Sequence, residues 1–127
     1  MISGLFDQTN YVAAKKMLDA AVLRHEAIAS NLANLETPNY KRLDLAPSFQ
    51  AELRQAVSAK ESAQIASVHP EIIQDPTAMV KGADGNSVHL EDELVQMNKN
   101  FIEHSLETQL VTGNLLKLRL AITGRAI

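Results

Sequence analysis

The chain contains no cysteine and no tryptophan, and among its 127 residues there are only three phenylalanines and two tyrosines. Without cysteine there is no disulfide scaffold, no thiol nucleophile and no cysteine metal site, so the fold must rest on packing. Scarce aromatics leave Leu, Ile, Val, Met and Ala to build any core. These are the side chains of helix–helix seams, and they favour helices over a β-sandwich. A hydrophobic content of 46% is ample for one domain of this length.

Two further absences narrow the function. The net charge is −3, and the basic pairs Lys15-Lys16 and Lys41-Arg42 are isolated, so nucleic acid is not an expected partner. No stretch approaches the roughly 18 apolar residues of a membrane span. Met1 to Asn10 lacks a basic segment followed by an apolar run, which predicts that no Sec-type signal is present and that the chain stays in the cytoplasm or leaves by another route.

What is present is heptad spacing. From Tyr11, apolar and small residues recur at steps of three and four: Tyr11, Ala14, Leu18, Ala21, His25, Ile28, Leu32 and Leu35. A neighbouring row, Ala13, Ala20 and Ala27, is made of small side chains that let a second helix approach. Pro38 disfavours helical geometry at Thr37, so this helix is expected to stop near Leu35 or Glu36, with Asn39 suited to a left-handed turn. A short helix follows, capped by Ser48 and ending near Ala59, with Phe49, Leu53, Ala56 and Val57 on one face.

Between Lys60 and Ser87 the periodicity lapses. Pro70, Pro76, Gly82 and Gly85 punctuate a loop-rich stretch in which Ile72-Ile73 is the best strand core, in one short hairpin. The C-terminal segment then carries the row Leu90, Leu94, Met97, Phe101, His104, Thr108, Val111, Leu115, Leu118 and Ile122. Ser87 is a candidate cap, Glu91, Asp92 and Glu93 sit where a helix dipole favours negative charge, and Lys117, Arg119 and Arg125 lie at the other end. A helix from about Val88 to Thr123 would be about 50 Å long. Extra rows, Ile102, Leu106 and Leu110 on one side and Leu116 and Leu120 on another, exceed what one partner helix covers.

The expected fold is therefore mainly α. Long N- and C-terminal heptad helices pack as an antiparallel coiled-coil hairpin, with a short middle helix and a loop-rich or small β middle segment. Residues 1–36 form the N-terminal helix, 37–87 the turn, short helix and middle segment, and 88–127 the C-terminal helix, which makes one structural unit with 1–36.

Chemistry finds little purchase. His25-Glu26 opens like a zinc-protease motif, but the second histidine position holds Ala29. Gly82-Ala83-Asp84-Gly85 lacks the ending of a phosphate-binding loop and reads as a turn. Asp44, Glu52, Glu61 and Glu71 have no partnered spacing for acid/base work. His25 and His104 both fall on seam positions, where they read as register-setting polar residues; a metal pair or a pH-sensitive joint are the other roles two facing imidazoles could have. No catalytic, cofactor or metal residues are assigned, and neither an enzyme nor a small-molecule substrate is expected.

Three blocks carry a resemblance. The first is Gly4-Leu5-Phe6-Asp7 and the heptad helix leading into Asn31-Leu32-Ala33-Asn34 and Thr37-Pro38-Asn39-Tyr40-Lys41-Arg42. The second is Leu43-Asp44 with Phe49-Gln50-Ala51-Glu52-Leu53, and the third runs from Asp84-Gly85-Asn86-Ser87-Val88-His89-Leu90 to Leu94, with the ending Leu118-Arg119-Leu120-Ala121-Ile122-Thr123-Gly124-Arg125. Together they resemble the flagellar basal-body rod protein family, and within it the short proximal rod member. One departure is Asn39, where the family's turn usually has Gly; Asn keeps access to a left-handed conformation.

The resemblance implies a structural subunit of the proximal rod, exported by the flagellar type III apparatus without a cleaved signal. It also implies helical assembly into the periplasmic drive shaft that transmits torque and encloses the export channel. Implied partners are other rod proteins, copies of itself, the rod-to-ring adaptor and the export gate. Expected assembly contacts are Asn31, Leu32, Asn34, Thr37, Pro38, Tyr40, Leu106, Leu110, Leu116 and Leu120. Alternatives are another axial rod subunit of the same superfamily, or a small cytoplasmic helical adaptor or chaperone.

Overall fold

The computed structural model describes residues 8–124; residues 4–7 of the first block and Arg125 lie outside them. The protein is mainly helical. In chain order it comprises α1 (Gln8–Ala33), β1 (Leu43–Leu45), α2 (Ser48–Ser58), α3 (Ser62–Ser67), β2 (Ile72–Gln74) and α4 (Leu90–Thr123). Both long helices fall where the three-and-four spacing puts them, and α4 closes on Gly124 in the left-handed conformation, its amide bonded to Leu120 O.

α1 ends at Ala33, slightly before the proline signal alone suggested. The Asn34 side chain folds back and donates to Ser30 O at 2.8 Å, satisfying a carbonyl of the last turn. The chain then turns through Asn39, whose φ is 61°, and its amide bonds to Asp84 O at 2.7 Å. Residues 39–42 thus run beside 84–87, a pairing continued by Ser87 N to Tyr40 O and Arg42 N to Ser87 Oγ.

The middle segment is more ordered than its missing periodicity predicts. Ile72–Gln74 is a strand, as expected, but it makes no hairpin within the segment. It pairs antiparallel with β1 in the register Leu43↔Gln74, Asp44↔Ile73, Leu45↔Ile72. The ladder is prolonged by Asp75 N to Arg42 O and Ala46 N to Glu71 O, both 2.8 Å. The six-residue α3 is also a departure from the loop expected there; it is too short for periodicity to register, and Ile65 alone anchors it, fully buried. α2 has the predicted extent and face, but Pro47 holds its N-cap position and Ser48 makes no capping bond. Ser87 likewise caps nothing: α4 starts at Leu90 with His89 before it, and the Ser87 hydroxyl serves Arg42 instead.

The hydrophobic core lies on one side of α1. Ala13 and Ala20 from the small-residue row meet Leu45, Phe49, Leu53, Ala56, Ile65 and Val68, with Val12, Val57 and Ile72 packed around them. Alanines on α1 let α2 and α3 come close, and Phe49 supplies the bulk; burying such a side chain contributes about 2–3 kcal/mol.

On its other side α1 meets α4, and here the largest correction falls. The helices run antiparallel, as Asn31–Glu93, Ala21–Asn100 and Arg24–Glu103 contacts require. Yet the apolar row of α4 does not form the seam. Leu90, Leu94, Phe101, Leu115 and Ile122 are exposed, Phe101 to 71%, while Glu93, Asn100 and Glu107 are buried at heptad spacing. His25 and His104 are exposed too, so neither sits on a buried seam. The physical reason is that α1 offers this side a carbonyl, an amide and a guanidinium, which polar groups on α4 can satisfy and leucines cannot.

Candidate functional site

The most elaborate constellation surrounds the turn after α1, and it is polar. Asn31, on the last turns of α1, is fully buried. Its Nδ2 donates to Leu43 O at 2.8 Å and its Oδ1 accepts from Leu43 N at 2.9 Å, so the side-chain amide pairs with the backbone as a neighbouring strand would. The same Nδ2 reaches Glu93 Oε2 at 3.3 Å, and Oδ1 also accepts from the Tyr40 hydroxyl at 3.2 Å. Tyr40 is further held by Ser30 Oγ at 2.9 Å.

Arg42 is the second hub. Its Nε donates to Glu93 Oε1, while Nη1 bridges Asp44 at 3.0 Å and Asp75 at 2.7 Å. The guanidinium thereby ties β1, the segment after β2 and α4 into one charged cluster, with the Glu93 side chain wholly buried. Burial works against the charge on Arg42, but bonds to Asp44 and Glu93 outweigh it and raise its pKa further. Asp75 is likewise opposed by desolvation, and bonds from the Thr77 hydroxyl and amide and from Arg42 hold it below its ordinary value.

Asn86 completes the arrangement. It is fully buried, and its Nδ2 donates to the carbonyls of Asn34, Leu35 and Thr37 at 2.8, 3.1 and 2.8 Å. These carbonyls belong to the turn that follows α1, and that of Asn34 also accepts from Thr37 N. Asn86 Oδ1 accepts from Val88 N at 2.7 Å, so one amide holds this turn and shapes the approach to α4.

The cluster presents its acids to a guanidinium, and its Ser30 and Tyr40 hydroxyls are bonded to each other. Among the described residues no group of three or more His, Cys, Asp or Glu is placed to hold a metal ion. No described helix is long and apolar enough to cross a membrane. What this network can do is lock the two long helices and the turn between them in one geometry.

The residues expected to make assembly contacts divide in two. Asn31 is inside the lock, and Leu32, Asn34 and Tyr40 are half-buried, with Asn34 and Tyr40 bonded within the chain. Thr37 and Pro38 are exposed at the tip of the turn, and Leu106, Leu110, Leu116 and Leu120 are exposed along α4. Arg42, Asn86, Glu93, Asn100 and Glu107 were not singled out by the sequence reading. Glu93, Asn100 and Glu107 recur every seven residues, a signal that the stronger apolar rows of the same segment mask because apolar residues ordinarily face inward.

A second feature lies farther along the helix pair. A groove of about 920 Å³ between α1, α2 and α4 is lined by Ala13, Ala14, Met17, Phe49, Leu53, Val57, Leu106, Leu110 and the carboxylates Glu103 and Glu107. Asn100 Nδ2 donates to Ala21 O at 2.9 Å, but Asn100 Oδ1 and Glu107 Oε2 are buried without hydrogen-bond partners. Burial, helped by the nearby charge of Glu103 and opposed by Arg24, pushes the Glu107 carboxyl up to about 7.

No family model matches the sequence. Individual proteins do. The chain is 27% identical over 127 residues to the flagellar basal body rod protein FlgB of Borrelia hermsii, covering 86% of this chain and 92% of that protein. It is 29% identical over 114 residues to FlgB of Aquifex aeolicus (strain VF5), covering 88% and 91%, and 27% identical over 115 residues to FlgB of Bacillus subtilis (strain 168), covering 84% and 88%. In each case more than four fifths of both chains is covered. By these relatives and by its own motifs, the chain is similar over most of its length to the FlgB flagellar basal body rod proteins.

Proposed function

We propose that this protein is a structural subunit of the flagellar proximal rod, and that it acts by assembly and not by turnover. The observation that carries the reading is the outward apolar face of α4, where Phe101, Ile102, Leu106, Leu110, Leu116 and Leu120 stand exposed on one long helix. Monomeric proteins rarely leave so long an apolar surface bare. Neighbouring subunits in a helical rod would cover it.

In this reading residues 1–36 and 88–127 act as one unit, a coiled-coil hairpin in the assembled rod, with 37–87 as the insert that fixes their angle. Asn31, Leu32, Asn34 and Tyr40 hold the turn in shape, and Thr37 and Pro38 at its tip, with Leu106, Leu110, Leu116 and Leu120, make the contacts. Long helices sharing several seams suit a shaft that transmits torque around an export channel, since sliding would break many contacts at once. The chain reaches the periplasm through the flagellar type III apparatus and meets the export gate, the rod-to-ring adaptor and other rod proteins.

The test is an in-frame deletion in the organism of origin, with basal bodies imaged by electron cryotomography and a plasmid-borne copy as control. Rings without a rod, restored by the plasmid, support the proposal. An intact rod and hook would sink it and point to a cytoplasmic adaptor.

A further inference from the structure

α4 changes character at Glu107. From Leu90 to Glu107 it carries Glu91, Asp92, Glu93, Glu103 and Glu107 against a single Lys99, and its buried residues Glu93, Asn100 and Glu107 all lie in this half. From Thr108 to Thr123 there is no acidic residue, while Lys117 and Arg119 supply positive charge. None of the described side chains in that stretch is buried, and Leu110, Leu115, Leu116, Leu120 and Ile122 are exposed.

The distal half also sorts its residues by side. At about 100° per residue, Val111, Leu115 and Ile122 fall along one line of the helix, and Lys117 and Arg119 stand on its two flanks. An apolar strip bordered by cations is the chemistry of a helix that lies in a membrane interface. The strip enters the acyl boundary, and the long stems of Lys and Arg carry their charges up to the headgroups. The net charge of −3 works against an anionic surface, but Glu107, the last acid on the helix, is ten residues from Lys117. That is about 15 Å at the helical rise, beyond the Debye length of about 8 Å at physiological ionic strength.

We infer that, in the unassembled subunit, the stretch of α4 from Val111 to Ile122 docks on an anionic lipid surface, with Val111, Leu115 and Ile122 toward the acyl chains and Lys117 and Arg119 at the headgroup phosphates. The helix lies on the bilayer and does not cross it, since no described helix is long and apolar enough to span. Apolar insertion and charge act together here, because either signal alone gives only marginal, reversible binding. In the rod proposed above, neighbouring subunits cover this end of α4, so lipid is the partner before assembly. The inference goes beyond that reading and does not depend on it.

The absence of native tryptophan makes the test direct. Two full-length variants, Ile122→Trp and Phe101→Trp, place an indole on the distal and on the acidic half of α4, at positions 73% and 71% exposed, so neither change touches the core. Each is mixed with vesicles of phosphatidylcholine, with and without phosphatidylglycerol, and with brominated acyl chains as quencher. With anionic vesicles the emission of the Ile122→Trp variant should move to shorter wavelength and be quenched, while that of the Phe101→Trp variant stays as in buffer. Adding Lys117→Gln and Arg119→Gln to the Ile122→Trp variant should weaken its partitioning roughly 30-fold. Raised salt should weaken it as well. Circular dichroism confirms that each variant is folded.

An Ile122→Trp emission unmoved by anionic vesicles would overturn the proposal, as would equal binding to both vesicle types that salt and the glutamine changes leave alone. Quenching of both reporters alike would mean adsorption of the whole chain and would also overturn it. An indole already shielded in buffer, increasingly so with protein concentration and indifferent to vesicles, would assign this face to protein contacts alone. The deletion experiment tests the rod reading separately, and neither result decides the other.

Discussion

The side chain of Asn31 pairs with the backbone of Leu43 through two hydrogen bonds, Nδ2 to O at 2.8 Å and N to Oδ1 at 2.9 Å, so a helix side chain occupies the place of a strand. Asn31 is thus a connector between α1 and β1. Asn31→Ala removes both bonds and leaves the Leu43 amide and carbonyl unpaired in a half-buried site. A loss of about 2–3 kcal/mol in urea unfolding is expected. Asn31→Asp should fare no better near pH 7, because it sets a second carboxylate opposite Glu93 and Leu43 O; a stability equal to that of the parent would refute the pairing.

Arg42 neutralises a carboxylate that is entirely inside. Arg42→Met keeps much of the volume but strands Glu93, and a loss of about 3–5 kcal/mol is expected, with the double change Arg42→Met and Glu93→Gln recovering part of it. The acid limb follows from Asp75. Its folded pKa is depressed, so its contribution is present above the ordinary aspartate value and is lost as pH falls through the lower folded one. Asp75→Asn should flatten the acid end of the stability curve, which thermal melts at stepped pH would record.

Gly85 sits at φ 78°, and a Cβ there would run into the Asn39 side chain. Two separate costs coincide, a left-handed backbone and a clash across the paired segments. Gly85→Ala should lower stability by about 1–3 kcal/mol, whereas the reverse economy at the facing position, Asn39→Gly, should restore part of it by clearing the side chain. Equal stability for Gly85→Ala and the parent would show that the 39–42 and 84–87 segments are not held as described.

Glu107 makes stability depend on pH near neutrality. Its folded pKa, about 7, is raised above the ordinary value of 4.5. The folded state therefore holds the proton more tightly, and the group's contribution is complete below the unfolded pKa and lost as pH rises through the folded one. Glu107→Gln should raise the stability of the isolated subunit at pH 8 by on the order of 2 kcal/mol and leave it nearly unchanged at pH 4. The comparison is made by urea unfolding at both pH values, and a benefit equal at the two would contradict the assignment.

Phe101 separates folding from assembly. It is 71% exposed, so Phe101→Ser should shift unfolding by less than about 0.5 kcal/mol. If the outer face of α4 is a contact surface, the same change should reduce rod formation and motility sharply in a complemented deletion strain. Normal swimming would remove Phe101 from the assembly surface.

The sequence alone determined the two long helices, the helix after Pro47 and the turn between Asn34 and Tyr40. Steps of three and four from Tyr11 to Leu35 and from Leu90 to Ile122 set the two long helices, Pro38 bounded the first, and Asn39 took the left-handed turn it is suited to. The blocks around Asn31–Tyr40 and Asp84–Leu94 were enough for the resemblance that the FlgB relatives then supported. Periodicity fixes the angle of each side chain about its own helix, but it does not say which side meets a neighbour.

That was decided by tertiary structure. α1 turns its alanines toward α2 and α3, and toward α4 it offers the Ala21 carbonyl, Arg24 and Asn31. Only Glu93, Asn100 and their neighbours can answer those groups, so the leucines of α4 face outward. The pairings Asn31–Glu93, Arg42–Asp75 and Asn86–Asn34 join residues 62, 33 and 52 positions apart. No local pattern encodes such distances; they exist because buried polar groups must find partners, and the fold is where those partners meet.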